Sequence, residues 1–266
     1  MAIRLITNYP ALLISDKTHG KILVIADLHL GIEHQLYQEG ITIAPQAEKL
    51  KETIGKLLKM TKAKKLVILG DLKHKVPGIS FRELKELPKL VDYLAKKVHV
   101  VLTKGNHDVE LKEISEKMEV HGSHGFSIGG KYGFFHGHAW PDKRLLGCDY
   151  LFTAHVHPVV EFVDDFGFRI VEKVWVKGKL DEKILRKKYK IKTKSEKKGK
   201  KEIKEKFGKM ETIIFPSFNP IISGVPLNSK RKKYIGPLLT SGAFDARKSE
   251  AYMLDGTRLG KIKKIK

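Results

Sequence analysis

The sequence predicts an α/β fold in which parallel strands joined by crossover helices give way to hairpins. Three observations carry this. Five short apolar runs each end in a polar cluster, segments of helical period separate the first three runs, and turn signals dominate after about residue 118. At 266 residues the chain can bury a substantial core. One domain over 1–266, with a basic insertion at about 177–209, accounts for the pattern.

The runs are KILVIADLH (21–29), KKLVILGDLKH (64–74), VHVVLTKGNHD (98–108), YGFFHGH (132–138) and YLFTAHVH (150–157). Each reads as a buried strand whose C-terminal end opens into a loop. Between the first two, Leu50, Ile54, Leu57 and Leu58 fall on one helical face, and Pro45 suits a first turn. Between the second and third, Ser80 and Glu83 form a capping-box pattern ahead of Leu84, Leu87, Leu90, Val91 and Leu94. Pro88 is expected to kink or divide that helix. Two such crossovers make the early strands parallel. Later, Gly129-Gly130, the DDFG of 164–167 and Asp255-Gly256 mark hairpins, so the second half is expected to be mainly antiparallel.

Fifty-two Lys and Arg against thirty Asp and Glu give a formal charge of +22, which favours phosphate-rich partners. A heat-adapted surface, poor in Asn and Gln and rich in Lys, Glu and Ile, is the competing explanation. Residues 177–209 hold sixteen basic and five acidic side chains and read as a solvated excursion or a nucleic-acid contact. Cys148, the only cysteine, excludes an internal disulfide and a thiolate metal cage and fits a reducing cytoplasm. No apolar stretch approaches the roughly 20 residues that span a bilayer, so a soluble chain without a membrane partner is expected.

The polar clusters carry the chemistry. Asp27 and His29, and again His155 and His157, sit two apart at strand ends, where an extended chain turns both side chains to one face. Asp71 follows Gly70, the run Asn106-His107-Asp108 follows Gly105, and His136 and His138 bracket Gly137. Strand C-termini of a doubly wound sheet share one crevice, so the five clusters are expected to build one site. Asp, His and an Asn amide oxygen suit Mn²⁺, Fe or Zn²⁺ better than an all-oxygen Ca²⁺ cage, and they are too many for one ion. Two ions about 3.5–4 Å apart, sharing one carboxylate, would activate a water for in-line attack at phosphorus. Asp71 is the candidate bridge.

In chain order, D-x-H (27–29), G-D (70–71), G-N-H-D (105–108), H-G-H (136–138) and A-H-x-H (154–157) resemble the signature of the calcineurin-like metallophosphoesterases. The resemblance implies a four-layer αββα sandwich with mixed sheets and two divalent metal ions, Mn²⁺ foremost, with Fe, Zn²⁺ or Ni²⁺ as alternatives. It places Asp27, His29, Asp71 and His157 on the first ion, and Asp71, Asn106, His136 and His155 on the second. His107 would contact the phosphoryl oxygens and protonate the leaving oxygen, with Asp108 as an acid that could tune it. His138 and Asn106 would face substrate.

Two departures stand out. His74 replaces the second Asp of the usual G-D-x-x-D, so it could orient His107, move protons or bind phosphate. Ala154 replaces a glycine. DLHLGIE, GDLKH and IIFPSFNPIISGVPLN (213–228) resemble a narrower group, the archaeal ICC-like phosphoesterases related to the exonuclease subunit of the double-strand-break repair complex. Bacterial relatives of that group are associated with a DNA ligase and a helicase, so a helicase or other DNA-repair protein is a candidate partner.

The reading favoured is a phosphodiesterase or nuclease acting on nucleic acid. The alternatives are a small-molecule phosphatase or cyclic-nucleotide phosphodiesterase, and a non-catalytic scaffold docking a helicase, against which the intact ligand set argues. Lys73, Lys104 and Arg144 are candidate phosphate contacts, and Ser217 and Asn219 belong to the site or to a turn.

Overall fold

The computed structural model describes residues 2–111, 115–191, 207–229 and 233–265. The chain opens with β1 (Ala2–Leu5), β2 (Leu12–Asp16) and β3 (Gly20–Ile25), paired antiparallel in sequence. Then come α1 (Ile32–Gln38), α2 (Ala47–Thr61), β4 (Lys65–Ile68), α3 (Phe81–Ala95), β5 (His99–Thr103) and β6 (Glu119–His121). These strands form one six-stranded sheet in the order β1-β2-β3-β4-β5-β6, parallel from β3 onward, as two crossover helices require.

The second sheet contains β7 (Phe126–Ile128), β8 (Tyr132–Phe134), β9 (Tyr150–Thr153), β10 (Pro158–Val163), β11 (Arg169–Lys179), β12 (Glu211–Ile214), β13 (Val225–Pro226), β14 (Glu250–Met253) and β15 (Arg258–Lys261). Helices α4 (Glu182–Lys188) and α5 (Pro237–Thr240) lie between its later strands. The three expected hairpins are present as β7–β8, β10–β11 and β14–β15. The sheet is nonetheless mixed, because β8, β9 and β12 run parallel side by side. Long connections, 135–149 and 154–210, carry the chain back so that each of these strands starts at the same end.

Three apolar clusters define four layers. Leu50, Ile54, Leu57 and Leu58 of α2, with Leu87, Leu90, Val91 and Leu94 of α3, cover the outer face of the first sheet. Its inner face meets Tyr132, Phe134, Phe152, Trp175 and Phe215 of the second sheet. Leu185 of α4 and Leu238 and Leu239 of α5 pack on the far side. The αββα sandwich follows from which strand faces are apolar on both sides.

Some expectations need correction. The Ser80–Glu83 capping box forms, but α3 runs unbroken through Pro88, since buried Leu87 lies on one side of it and Leu90, Val91 and Leu94 on the other. That packing outweighs the roughly 3 kcal/mol a mid-helix proline costs. Leu84, expected on the apolar face, points to water. The basic segment does not begin at 177, for Lys177 and Lys179 pair with Ile213 and Glu211 in the sheet and Leu185 is fully buried. Residues 192–206, with the rest of the lysine run, lie outside the described residues.

Phe152 is fully buried between the sheets, its ring centroid 5.1 Å from Phe134 and 6.3 Å from Phe215. Phe152→Ala should lower unfolding free energy by about 3–5 kcal/mol in urea titration. A loss under about 1 kcal/mol would mean that the intersheet layer is not close-packed.

Candidate metal centre

Strands β3 and β4 end at Ile25 and Ile68, but their loops stay paired. Asp27 N–H donates to Gly70 O (3.2 Å), His29 N–H to Asp71 O (2.8 Å) and Leu30 N–H to Leu72 O (3.0 Å). The backbone there is not extended. Asp27, His29, Asp71, His155 and His157 have φ of 54°, 42°, 51°, 70° and 45°, so left-handed turns, rather than an extended chain, set the two-residue spacing. Such a conformation costs a non-glycine residue about 1–2 kcal/mol. Among the described residues, five of the ten non-glycine positions with positive φ therefore gather in one cluster, a mark of a functional site. At Gly105 a Cβ would collide with the Asp71 carboxylate, so only glycine lets that carboxylate sit where it does.

The loops after β3, β4, β8 and β9 converge and their donor atoms form two adjoining sets, beside which His29, His74 and His107 make a third. Asp27, His29, Asp71 and His157 make one and Asp71, His136 and His155 the other, with ligand atoms in each set within 4.8 Å of one another. Asp71 belongs to both. His29 Nε2 is 3.5 Å from Asp71 Oδ2 and 3.4 Å from His157 Nε2, and His157 Nε2 is 3.5 Å from Asp27 Oδ1. Ligands held about 2.0–2.2 Å from a shared ion stand about 3–3.6 Å apart, so these separations fit a cation. Both Asp27 oxygens and His136 Nε2 are buried without a hydrogen-bond partner, which a metal would supply.

Charge and tautomer suit that role. Burial works to raise the Asp71 carboxyl, yet His136 and His29 pull it far below the usual carboxylate range. Burial likewise opposes charge on His136, but Asp71 and Asp27 raise it to about 9, so without metal its Nε2 carries a proton that a bound cation would displace. Burial pushes His29 down to about 2 and His155 to about 3, leaving both neutral with a lone pair to offer. His136 Nδ1 donates to Leu69 O (2.7 Å), so Nε2 faces the cluster.

His29 is oriented by a longer chain. Gln35 donates its amide to Glu39 Oε1 (2.9 Å), which turns Gln35 Oε1 toward His74 Nε2 at 2.6 Å. His74 must donate there, so its Nδ1, 3.2 Å from His29 Nδ1, accepts, and His29 Nε2 keeps its lone pair for the cluster. His74 is held neutral by burial and by His107, at about 4. Sequence reading missed Gln35 and Glu39, although their i, i+4 spacing on α1 is visible.

His107 lies beside His29, ring centroids 4.8 Å apart, and its N–H donates to Asp71 Oδ1 at 2.9 Å. Its Nδ1 is hydrogen-bonded to the His74 carbonyl, which leaves Nε2 as the open ring atom. His74 thus orients His107 through its backbone while its ring stacks on His107 at 5.3 Å. The structure does not bring the Asp108 carboxylate to His107. Asp108 is buried and accepts from Gly105 N (2.8 Å) and Leu72 N (2.8 Å), tying the β4 and β5 loops together. Burial, with Asp71 nearby, pushes it up to about 6. Asn106 lies exposed between two residues that crowd Asp71. His138 adjoins the second set, 5.2 Å from the His136 ring and 6.0 Å from that of His155.

Lys73 is no phosphate contact, since it is fully buried and its ammonium binds Lys75 O and Gly78 O. Lys104 is exposed, and Arg144 pairs with Asp142. Ser217 and Asn219 are buried parts of the site's support. Asn219 Nδ2 donates to Leu28 O (2.8 Å), holding the Asp27–His29 turn, while Lys173 Nζ binds Ser217 Oγ (2.8 Å) and Asn219 O (2.5 Å). Burial lowers Lys173 to about 8, against the pull of Asp27. Sequence reading missed Lys173, because one more lysine in so basic a chain carries no signal.

Residues 20–238 match the calcineurin-like phosphoesterase family, and the chain belongs to it. It is accordingly a metal-dependent phosphoester hydrolase. Among solved structures, the chain is similar to the Pseudomonas putida nuclease MPE, at 17% identity over 94% of this chain and 100% of that one, TM-score 0.49. It is similar over about half its length to Yfce, a phosphoesterase from E. coli (19% identity, 52% of this chain, 71% of that one, TM-score 0.34). A protein of unknown function from Aquifex aeolicus matches at 20% identity, over 51% of this chain and 78% of that one, TM-score 0.37. No curated protein matches in sequence. Among the described residues no helix is long and apolar enough to cross a membrane.

Gln35→Leu removes the acceptor that fixes the His74 and His29 tautomers. Its Mn²⁺ affinity, measured by calorimetric titration of metal-stripped protein, should fall about tenfold with stability little changed. Unaltered affinity would separate the Gln35 chain from metal binding.

Proposed function

We propose that the chain is a phosphodiesterase that cleaves nucleic acid with two divalent ions, Mn²⁺ foremost. The observation that carries this reading is the pair of adjoining ligand sets sharing the Asp71 carboxylate. Asp27, His29, Asp71 and His157 would hold one ion, and Asp71, His136 and His155 the other, with Asn106 closing the second set from the rim. When bound, the ions polarise the phosphoryl oxygens and lower the pKa of an attacking water.

The chain's own residues position and move protons. Asp71 orients His107 through its N–H, and the His74 carbonyl holds Nδ1, so protonated His107 presents only Nε2–H outward. That proton goes to the leaving oxygen as the P–O bond breaks, and the products are a phosphomonoester end and a free hydroxyl. His74 and Gln35 keep His29 in its ligand tautomer.

Nucleic acid is the favoured substrate because the formal charge is +22 and because DLHLGIE, GDLKH and PSFN resemble the repair-exonuclease relatives. Metal-stripped protein should leave a labelled single-stranded oligonucleotide and bis-p-nitrophenyl phosphate intact, and Mn²⁺ should restore cleavage of both. Asp71→Asn should abolish the restored activity, and His107→Ala should lower kcat by about 10²–10⁴-fold. Cleavage of the small ester alone would remove nucleic acid from the account.

A further inference from the structure

We infer that the cleft beside the second ligand set is a subsite for the nucleotide next to the scissile phosphate, with its base on Trp140 and its outer phosphate near Lys188. This rests on the nucleic-acid reading above. The cleft has a volume of about 590 Å³ and is lined by His124, His138, Trp140, Lys143, Lys188 and Tyr189, among others. That volume lies within the range of small-molecule sites.

It adjoins the ligand cluster through His138, and none of the clustered ligand residues lines it. His138 lines the cleft and stands one ring away from His136 and His155, and its Nδ1 is buried with no partner. A phosphodiester held at the proposed centre would have this wall within reach of one of its two nucleosides.

The wall is built for such a group. Trp140 is fixed by the Nδ1 of His124 on its carbonyl (2.8 Å) and by the edge of the Tyr189 ring, 6.2 Å between centroids. Tyr189 is itself held by its hydroxyl on Pro141 O (2.5 Å). The exposed Lys188 ammonium lies over the indole at 5.1 Å and can leave that face for a phosphate, exchanging a cation–π contact for an ion pair. The one carboxylate on the wall, Asp142, is already matched by two Arg144 donors at 2.9 and 2.8 Å, so it does not repel an anion. An aromatic ring interleaved with lysines is what a strand of any sequence requires.

A wider cavity of about 910 Å³, between Lys177–Asp181 and Asp245–Glu250, holds none of the clustered histidines and lies at the other end of the same strands. It makes no claim on substrate.

The test pairs two esters that differ in one nucleoside: thymidine 5′-(p-nitrophenyl phosphate) and bis-p-nitrophenyl phosphate, with the Mn²⁺-loaded enzyme. Trp140→Ala should lower the ratio of kcat/KM for the nucleoside ester to that for the plain ester by about tenfold, and Lys188→Ala should lower by about tenfold the preference for thymidine 3′-phosphate 5′-(p-nitrophenyl phosphate), which carries the outer phosphate, over the ester that lacks it. Trp140→Phe, which keeps a stacking ring, should retain most of that ratio. An unchanged ratio in Trp140→Ala overturns the inference, even where both activities fall together from a general loss of structure.

Binding is read without catalysis by dTMP titration of metal-stripped protein. Trp175 is fully buried, so quenching of indole fluorescence reports Trp140, and Trp140→Phe should lose it. If neither ester is hydrolysed, the phosphodiesterase reading falls, and quenching still decides the cleft: saturable quenching lost in Trp140→Phe supports it, and none overturns it.

Discussion

Asp71 places a carboxylate where almost no water reaches, 1% exposed, and the rest of the centre is arranged around that charge. His136 Nε2 stands 3.2 Å away and His29 Nε2 3.5 Å, while the His107 N–H donates at 2.9 Å. A buried ion without such partners costs several kcal/mol. Its position also dictates sequence at a distance, because a side chain at 105 would displace it and one at 70 would strike His136. The left-handed turns at Asp27, His29, Asp71, His155 and His157 aim those five side chains into the two adjoining sets, and His136 reaches the second without one.

Neither sheet can build the centre by itself. The loops after β3, β4 and β5 contribute Asp27, His29, Asp71 and His107, and those after β8 and β9 contribute His136, His155 and His157. The first ligand set needs His157 from the second sheet, and the second set needs Asp71 from the first. The distance between ligands is therefore fixed by the layer between the sheets, where Tyr132, Phe134, Phe152, Trp175 and Phe215 meet Leu12, Ile22, Val24 and Val67. Close packing there does for the centre what rigid elements do for any precise site, and a cavity in that layer acts on ligand geometry as well as on stability.

Much of this could be read from the sequence. The apolar runs ending in Asp, His and Asn gave the strands and their C-terminal cluster, since long-range convergence follows from parallel strands alone. What escaped was local or shared. β1 and β6 are short and partly exposed, so their periodicity is faint, and β2, buried over Leu12–Ile14, is only five residues long. The turn conformation at Asp27 and His29 has no composition signal, because residues with side chains rarely adopt it. Asp108 looked like a partner for His107 because of adjacency, but three backbone N–H groups, those of Gly105, Leu72 and Lys73, claim its carboxylate. Gln35, Glu39 and Lys173 act through other residues, and only their hydrogen bonds in the folded chain connect them to the candidate ligands.

The proposed two-ion centre depends on the Asp71 carboxylate lying in both ligand sets. Electron paramagnetic resonance of the Mn²⁺-loaded protein, with metal content measured on the same sample, tests that most directly. Two Mn²⁺ per chain with an exchange-coupled multiline spectrum is the expected result. One Mn²⁺ per chain, or two giving only the spectrum of isolated ions, would contradict it.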